Sequence, residues 1–339
     1  MSESGDYDPG PWKGYSFASA RKAYDSHIDR SYTDAVSAKV SRADCVPTEV
    51  STDSEAPLII ACDVTGSMGQ WPATIFSKLP YLDLEGKEYL GPSMEVCFAA
   101  VGDCFSDKYP LQVQPFATGT AMEETLKKLI IEGGGGGSTQ ESYDLAALYM
   151  LKHCNCPKAI RKPILVFIGD EGFYNFVDKA AGEEWALCES TERLSLGQLF
   201  HELQEKFSVY CVLKPYGNAA ATSVNELDGT SERVYAEWRK LLGEDRIAIL
   251  PEAGRVVDVI FGLLANETGR VDYFKDELKD RQGKDHDGDH KVSIVLKSLN
   301  TIHSAKASAS KSLSKAAAGK SVTRGKSTSK STASKSLMD

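Results

Sequence analysis

Five short apolar runs constrain this chain more than anything else in it: PLIIACDV (57–64), EVCFAAVGD (95–103), KPILVFIGD (162–170), FSVYCVLKP (207–215) and DRIAILP (245–251). Each breaks off near Gly, Pro or Asp, and none shows the polar alternation of a strand with one wet face. Continuous apolarity over so few residues predicts strands buried on both sides. Helical spacing fills the gaps, over 71–82, 119–131, 141–154, 195–206, 231–242 and 254–266. In QESYDLAALYMLKHC, for instance, Tyr143, Ala146, Ala147, Met150, Leu151 and Cys154 share one face. Alternating strand and helix predicts an α/β fold, a doubly wound and mostly parallel sheet with helices on both faces. PLQVQPF (110–116) follows the second strand after too short a loop for a parallel crossover. It adds a sixth strand, as an antiparallel edge.

Around this domain, at 55–267, composition changes. Residues 1–54 are polar with scattered aromatics, and YDSHIDRSYTDAVSAKV predicts one packed helix there. Residues 268–304 read as a charged linker. From 305 to 339 the chain is Lys, Ser, Ala, Thr and Gly with too little apolar surface to order itself, so a disordered basic tail is expected. Eight Lys and Arg against one acid give that tail +7, which, set against −9 for the whole chain, leaves −16 on residues 1–304. An acidic body is a poor nucleic-acid surface; the tail is either a solubilising segment or a polycation for nucleic acid or another acidic surface. KDHDGDHK (284–291) alternates acids but lacks the Gly and Glu of a calcium loop, so it reads as a solvated turn. The eight cysteines (45, 62, 97, 104, 154, 156, 188, 211) make no zinc or redox spacing and read as reduced thiols. No apolar run reaches the length of a spanning helix and no secretory leader pattern opens the chain, so a cytoplasmic location is expected.

The first strand ends oddly. In LIIACDVTGSMGQW (58–71) five apolar residues give way to Asp63, Thr65 and Ser67, two apart. A nucleophile elbow would need Gly where Thr65 stands, a phosphate loop would need a Lys that neither this turn nor GGGGGST (133–139) has, and an aspartyl phosphotransferase would need a second acid at Thr65. A hard divalent cation does fit, because magnesium takes carboxylate, hydroxyl and water oxygens. Two further strand-end or helix-head loops offer the remaining ligands. EGGGGGSTQESYDLA (132–146) presents Ser138 and Thr139, and LVFIGDEGFY (165–174) ends in Asp170 and Glu171.

These three elements, in this order, resemble the von Willebrand factor A (VWA) family and its metal-ion-dependent adhesion site, D-x-[ST]-x-S followed by an oxygen ligand on a Gly-led loop and an Asp after the fourth strand. The resemblance spans residues 55–267. It implies Asp63, Thr65, Ser67 and Asp170 as ligands with Ser138 or Thr139, Ser138 being favoured by position. Asp103, Glu141 and Glu171 stand behind them. A strand order of 3-2-1-4-5-6 follows from the same resemblance. The Gly run and STQESYDLA look most like intracellular bacterial or phage members. What the resemblance implies for function is an adaptor or assembly factor that binds a partner's Asp or Glu through Mg²⁺, with Mn²⁺ suited to the same oxygens, and for a partner, an AAA+ ATPase.

None of the six histidines (27, 153, 201, 286, 290, 303) falls on these loops, so metal-assisted hydrolysis lacks a proton-transfer partner and a non-enzymatic role is expected. The alternatives are a phosphoester hydrolase at the same metal, with Lys108 and Lys162 the only basic candidates nearby in sequence, and a nucleic-acid-associated adaptor held by its tail.

Overall fold

A computed structural model gives the fold; it describes residues 40–69, 71–72, 74, 78–126, 128–131, 139–189, 194–216, 220–282 and 286–303. The five apolar runs are strands β2 (Pro57–Asp63), β3 (Glu95–Val101), β7 (Ile164–Gly169), β9 (Ser208–Leu213) and β10 (Ile247–Ile249). With β4 (Leu111–Val113) they form one six-stranded sheet in the order β10-β9-β7-β2-β3-β4. All neighbours are parallel except β3 and β4, which pair antiparallel with Val101 opposite Leu111. Numbering the six strands along the chain, the order is 3-2-1-4-5-6, so the direction of winding reverses beside β2.

Every residue of β2 is buried. Its side chains alternate between two cores: Leu58 and Ile60 face α2 (Leu79–Leu90) and α8 (Val256–Thr268), while Ile59 and Ala61 face α4 (Tyr143–His153), α6 (Leu196–Lys206) and α7 (Gly229–Leu242). A fully buried Leu or Ile stabilises by roughly 1.5–3 kcal/mol, so a strand with no wet face is held strongly in register. That register matters at the carboxyl edge. Cys62 pairs with Ile168 and Gly169 with Leu213, which sets Asp63, Asp170 and Lys214 at the exits of three adjacent strands.

Several elements differ from the sequence expectation. The first helix expected over 71–82 is helical at Trp71, Pro72 and Thr74, but its continuous run is α2, Leu79–Leu90. Two helices lie in the stretch that reads as a charged linker: α9 (Val271–Gln282) and α10 (Gly288–Ser298). Phe274, Leu278, Val295 and Leu299 from this stretch are fully buried in the same core as Leu58 and Ile60. Ahead of the sheet, α1 (Arg42–Cys45) and β1 (Val50–Ser51) pack on the other face, β1 pairing with β6 (Cys154–Asn155). The helix expected within YDSHIDRSYTDAVSAKV, its last residue Val40 apart, and the tail 305–339 lie outside the described residues. No helix among the described residues is long and apolar enough to cross a membrane.

Candidate metal centre

The turn leaving β2 folds around its own acid. Asp63 Oδ1 accepts from the Thr65 backbone N–H at 2.8 Å and from Thr65 Oγ1 at 2.7 Å, closing an Asx-type turn. A 3₁₀ turn over Gly66–Met68 follows, ended by Gly69 at φ +49°, a conformation that suits glycine. Thr65 Oγ1 lies 3.3 Å from Ser67 Oγ, and Ser67 donates to Asp170 Oδ1 at 2.8 Å. Four oxygen-bearing side chains thus run without a break from Asp63 to Asp170. Both acids are fully buried, Thr65 is nearly so, and Ser67 is exposed, so solvent reaches the row through Ser67.

Two groups not read from the sequence complete the polar shell. Tyr143, the first residue of α4, donates its hydroxyl to Asp63 Oδ2 at 2.9 Å. Lys214, directly after β9, places Nζ 2.6 Å from Asp170 Oδ2, with only 12% of its side chain exposed. Burial, then the neighbouring charge of Asp170, pushes the Asp63 carboxyl up to about 7 despite the donors from Thr65 and Tyr143. Gly169 is required beside this contact: a Cβ there would overlap the Tyr143 hydroxyl.

The segment entering α4 and the loop after β7 are stapled together by a two-stranded sheet. β5 (Gln140–Glu141) pairs in parallel with β8 (Gly172–Phe173), and the Gly172 N–H donates to Thr139 O at 3.1 Å. Trp238 Nε1 donates to Glu171 O at 3.1 Å, fixing the turn between Asp170 and β8. The staple brings two more acids to the edge. Glu141 and Glu171 are buried, and their Oε2 atoms have no protein donor. Burial first, then Asp63 and Glu171, holds Glu141 far above its ordinary range, and burial raises Glu171 as well.

Not all the expected residues join the row. Ser138 lies outside the described residues. The Thr139 hydroxyl is taken by Arg233 and makes no hydrogen bond to the four. Asp103 is occupied elsewhere, accepting from Tyr174 at 2.7 Å, from the Phe105 N–H at 3.0 Å and from Ser106 at 2.9 Å. Of the two lysines expected near the site, Lys162 precedes β7 and so sits at the opposite edge of the sheet, donating to Gln204 O, and Lys108 packs over the Tyr109 ring. The signal for Lys214 was present in FSVYCVLKP: a lysine at the carboxyl end of the strand next to β7. Tyr143 read only as part of an apolar helix face.

Among the described residues no three His, Cys, Asp or Glu side chains are grouped to hold a metal. The donor set of the row is instead two carboxylates and two hydroxyls, all hard oxygens, with the unpartnered Oε2 atoms of Glu141 and Glu171 behind it. That chemistry fits a hard divalent cation.

No family model matches the chain, and no curated protein does. Among solved structures, it is similar to the pilus adhesin SpaC from Lactobacillus rhamnosus GG, at 14% identity over 68% of this chain and 32% of that one, with a TM-score of 0.43. The open conformation of the same adhesin aligns over 68% and 31%, with a TM-score of 0.42 and the same identity. The chain spans about a third of the length of these structures.

Proposed function

We propose that the domain is a VWA-type protein-recognition module, non-enzymatic, that holds Mg²⁺ or Mn²⁺ at the carboxyl edge of its sheet and binds an acidic side chain of a partner. The observation that carries this reading is the unbroken row Asp63, Thr65, Ser67, Asp170, which joins the exits of two adjacent strands through hydroxyls at 2.7, 3.3 and 2.8 Å. When bound, the cation would supply a positive centre able to take a carboxylate oxygen. Asp63 and Asp170 would hold it with Thr65 and Ser67, and the family resemblance adds Ser138 or Thr139 as a further ligand.

The chain's own groups support recognition over turnover. Thr65 and Tyr143 donate to both oxygens of Asp63, which holds the carboxylate in one orientation. Exposed Ser67 gives the row its outlet to solvent. A role as adaptor or assembly factor, with an AAA+ ATPase as partner, belongs to this reading through the family resemblance. Phosphoester hydrolysis is the second reading, favoured by one observation: Lys214 puts a basic group beside Asp170, which neither Lys108 nor Lys162 does.

Calorimetric titration of Mg²⁺ and Mn²⁺ into the wild type and into Asp63→Ala and Asp170→Ala tests the first reading, with circular dichroism confirming the fold of each. Saturable binding lost in both variants is expected. Metal-dependent hydrolysis of a generic aryl phosphate, abolished by the same substitutions, would transfer the case to the second.

A further inference from the structure

The two acids of the row are satisfied without any ion. Asp63 has three donors, from the Thr65 N–H, Thr65 Oγ1 and Tyr143. Asp170 has Ser67 on Oδ1 and the Lys214 ammonium on Oδ2. This lysine is not a surface side chain that happens to fold inward. Its backbone N–H continues the ladder by donating to Gly169 O at 2.9 Å, so its position is fixed by the β7–β9 register, and its charge sits against a fully buried carboxylate. A divalent ion drawing on Asp170 would stand within a few ångströms of that ammonium, where two like charges in a poorly hydrated site repel strongly.

There is somewhere for the ammonium to go. A cavity of about 700 Å³ opens beside the row, lined by Ser67 and Lys214 on one side and by Glu226, Glu252, Lys297 and Thr222 on others. Two of the lining groups are carboxylates, Glu226, which accepts from Thr222, and Glu252, which lies 3.4 Å from His290, and a long lysine stem can carry its ammonium outward into this open, polar space.

We propose that Lys214 is the built-in counter-cation of the metal-free site, and that a divalent cation binds by displacing its ammonium from Asp170 into this cavity. The inference rests on the metal-binding reading and goes beyond it: the metal and Lys214 exclude each other at Asp170, metal affinity is held down by the lysine, and loading the site turns a buried ammonium outward beside it. A free ammonium next to the loaded site would in turn favour acidic partners.

The test is calorimetry with Mg²⁺ alone on the full chain, comparing wild type, Lys214→Gln and Lys214→Arg, beside thermal melts in EDTA and in Mg²⁺. Lys214→Gln should bind Mg²⁺ at least roughly tenfold more tightly, as removal of a like charge at such a distance requires. Lys214→Arg, which keeps the charge, should stay near wild type. In EDTA, Lys214→Gln should melt below wild type, because Asp170 loses its counter-charge, and Mg²⁺ should raise its midpoint more than the wild type's. Binding by Lys214→Gln no tighter than by wild type would overturn the displacement while leaving the metal reading intact. Absence of Mg²⁺ binding by all three folded forms would overturn both.

Discussion

At the scale of single residues, Asp63 shows a conflict between stability and use. Its carboxyl is fully buried and pushed up to about 7, against an ordinary value of 3.8, mainly by burial. The folded state therefore holds a proton that the unfolded chain has already lost, so without metal this group's contribution to stability is lost as pH rises from about 4 through 7. Asp63→Asn removes that dependence. Urea unfolding in EDTA should find the variant no more stable than wild type near pH 4 and more stable at pH 8, by up to ~4 kcal/mol if the whole shift is realised. In the same variant Mg²⁺ binding should disappear. An advantage that failed to grow with pH would mean that burial does not strain this acid. Gly169 carries a separate test. An added Cβ would drive the Tyr143 hydroxyl off Asp63, so Gly169→Ala should cost about 1–3 kcal/mol by overpacking and weaken Mg²⁺ binding as well, whereas Tyr143→Phe should weaken binding with a smaller loss of stability.

Elements explain what could be read in advance. β2, β3, β7 and β9 were legible because a strand buried on both faces leaves an apolar run that is too short for an ordinary helix and bounded by Gly, Pro or Asp. The antiparallel edge was legible from loop length alone. Helix α2 was not, because LPYLDLEGKEYL carries Gly86 in its interior, and that glycine is there for packing: a Cβ would come within 2.8 Å of Met94. Helices α9 and α10 were hidden by composition. In α9 charges outnumber apolar residues and in α10 they nearly equal them, yet Phe274, Leu278, Val295 and Leu299 are spaced to meet the core. Asp63, Thr65, Ser67 and Asp170 could be read because their spacing follows strand ends, while Lys214 and Tyr143 needed the register of β7 with β9 and the placement of α4 before their roles appeared. The buried face of α9 and α10 predicts a measurable dependence. Leu299 packs directly over Gly262 of α8, so Leu299→Ala should destabilise the whole domain by about 2–5 kcal/mol in chemical unfolding. A loss below 0.5 kcal/mol would mean that these helices dock only loosely.

Over the whole molecule the charge is divided in two, with −16 on residues 1–304 and +7 on residues 305–339. Opposite signs give opposite affinities for a polyanion, so any attraction to nucleic acid has to come from the shorter, basic part against repulsion from the larger one. Such attraction works through counterion release and fades as salt rises, with a logarithmic slope of about −0.9 for each phosphate contacted on duplex DNA. The row Asp63, Thr65, Ser67, Asp170 uses none of the basic segment's charges: it lies at strand exits more than a hundred residues before that segment. The two properties should therefore separate cleanly. Full-length protein should retard duplex DNA at 50 mM salt and release it by 200 mM, the chain ending at residue 304 should fail to bind at either concentration, and Mg²⁺ titrations of the two should agree. Retention of DNA by the shorter chain would place a nucleic-acid surface on the acidic body, and a change in its Mg²⁺ affinity would show that the charge of the basic segment acts on cation binding.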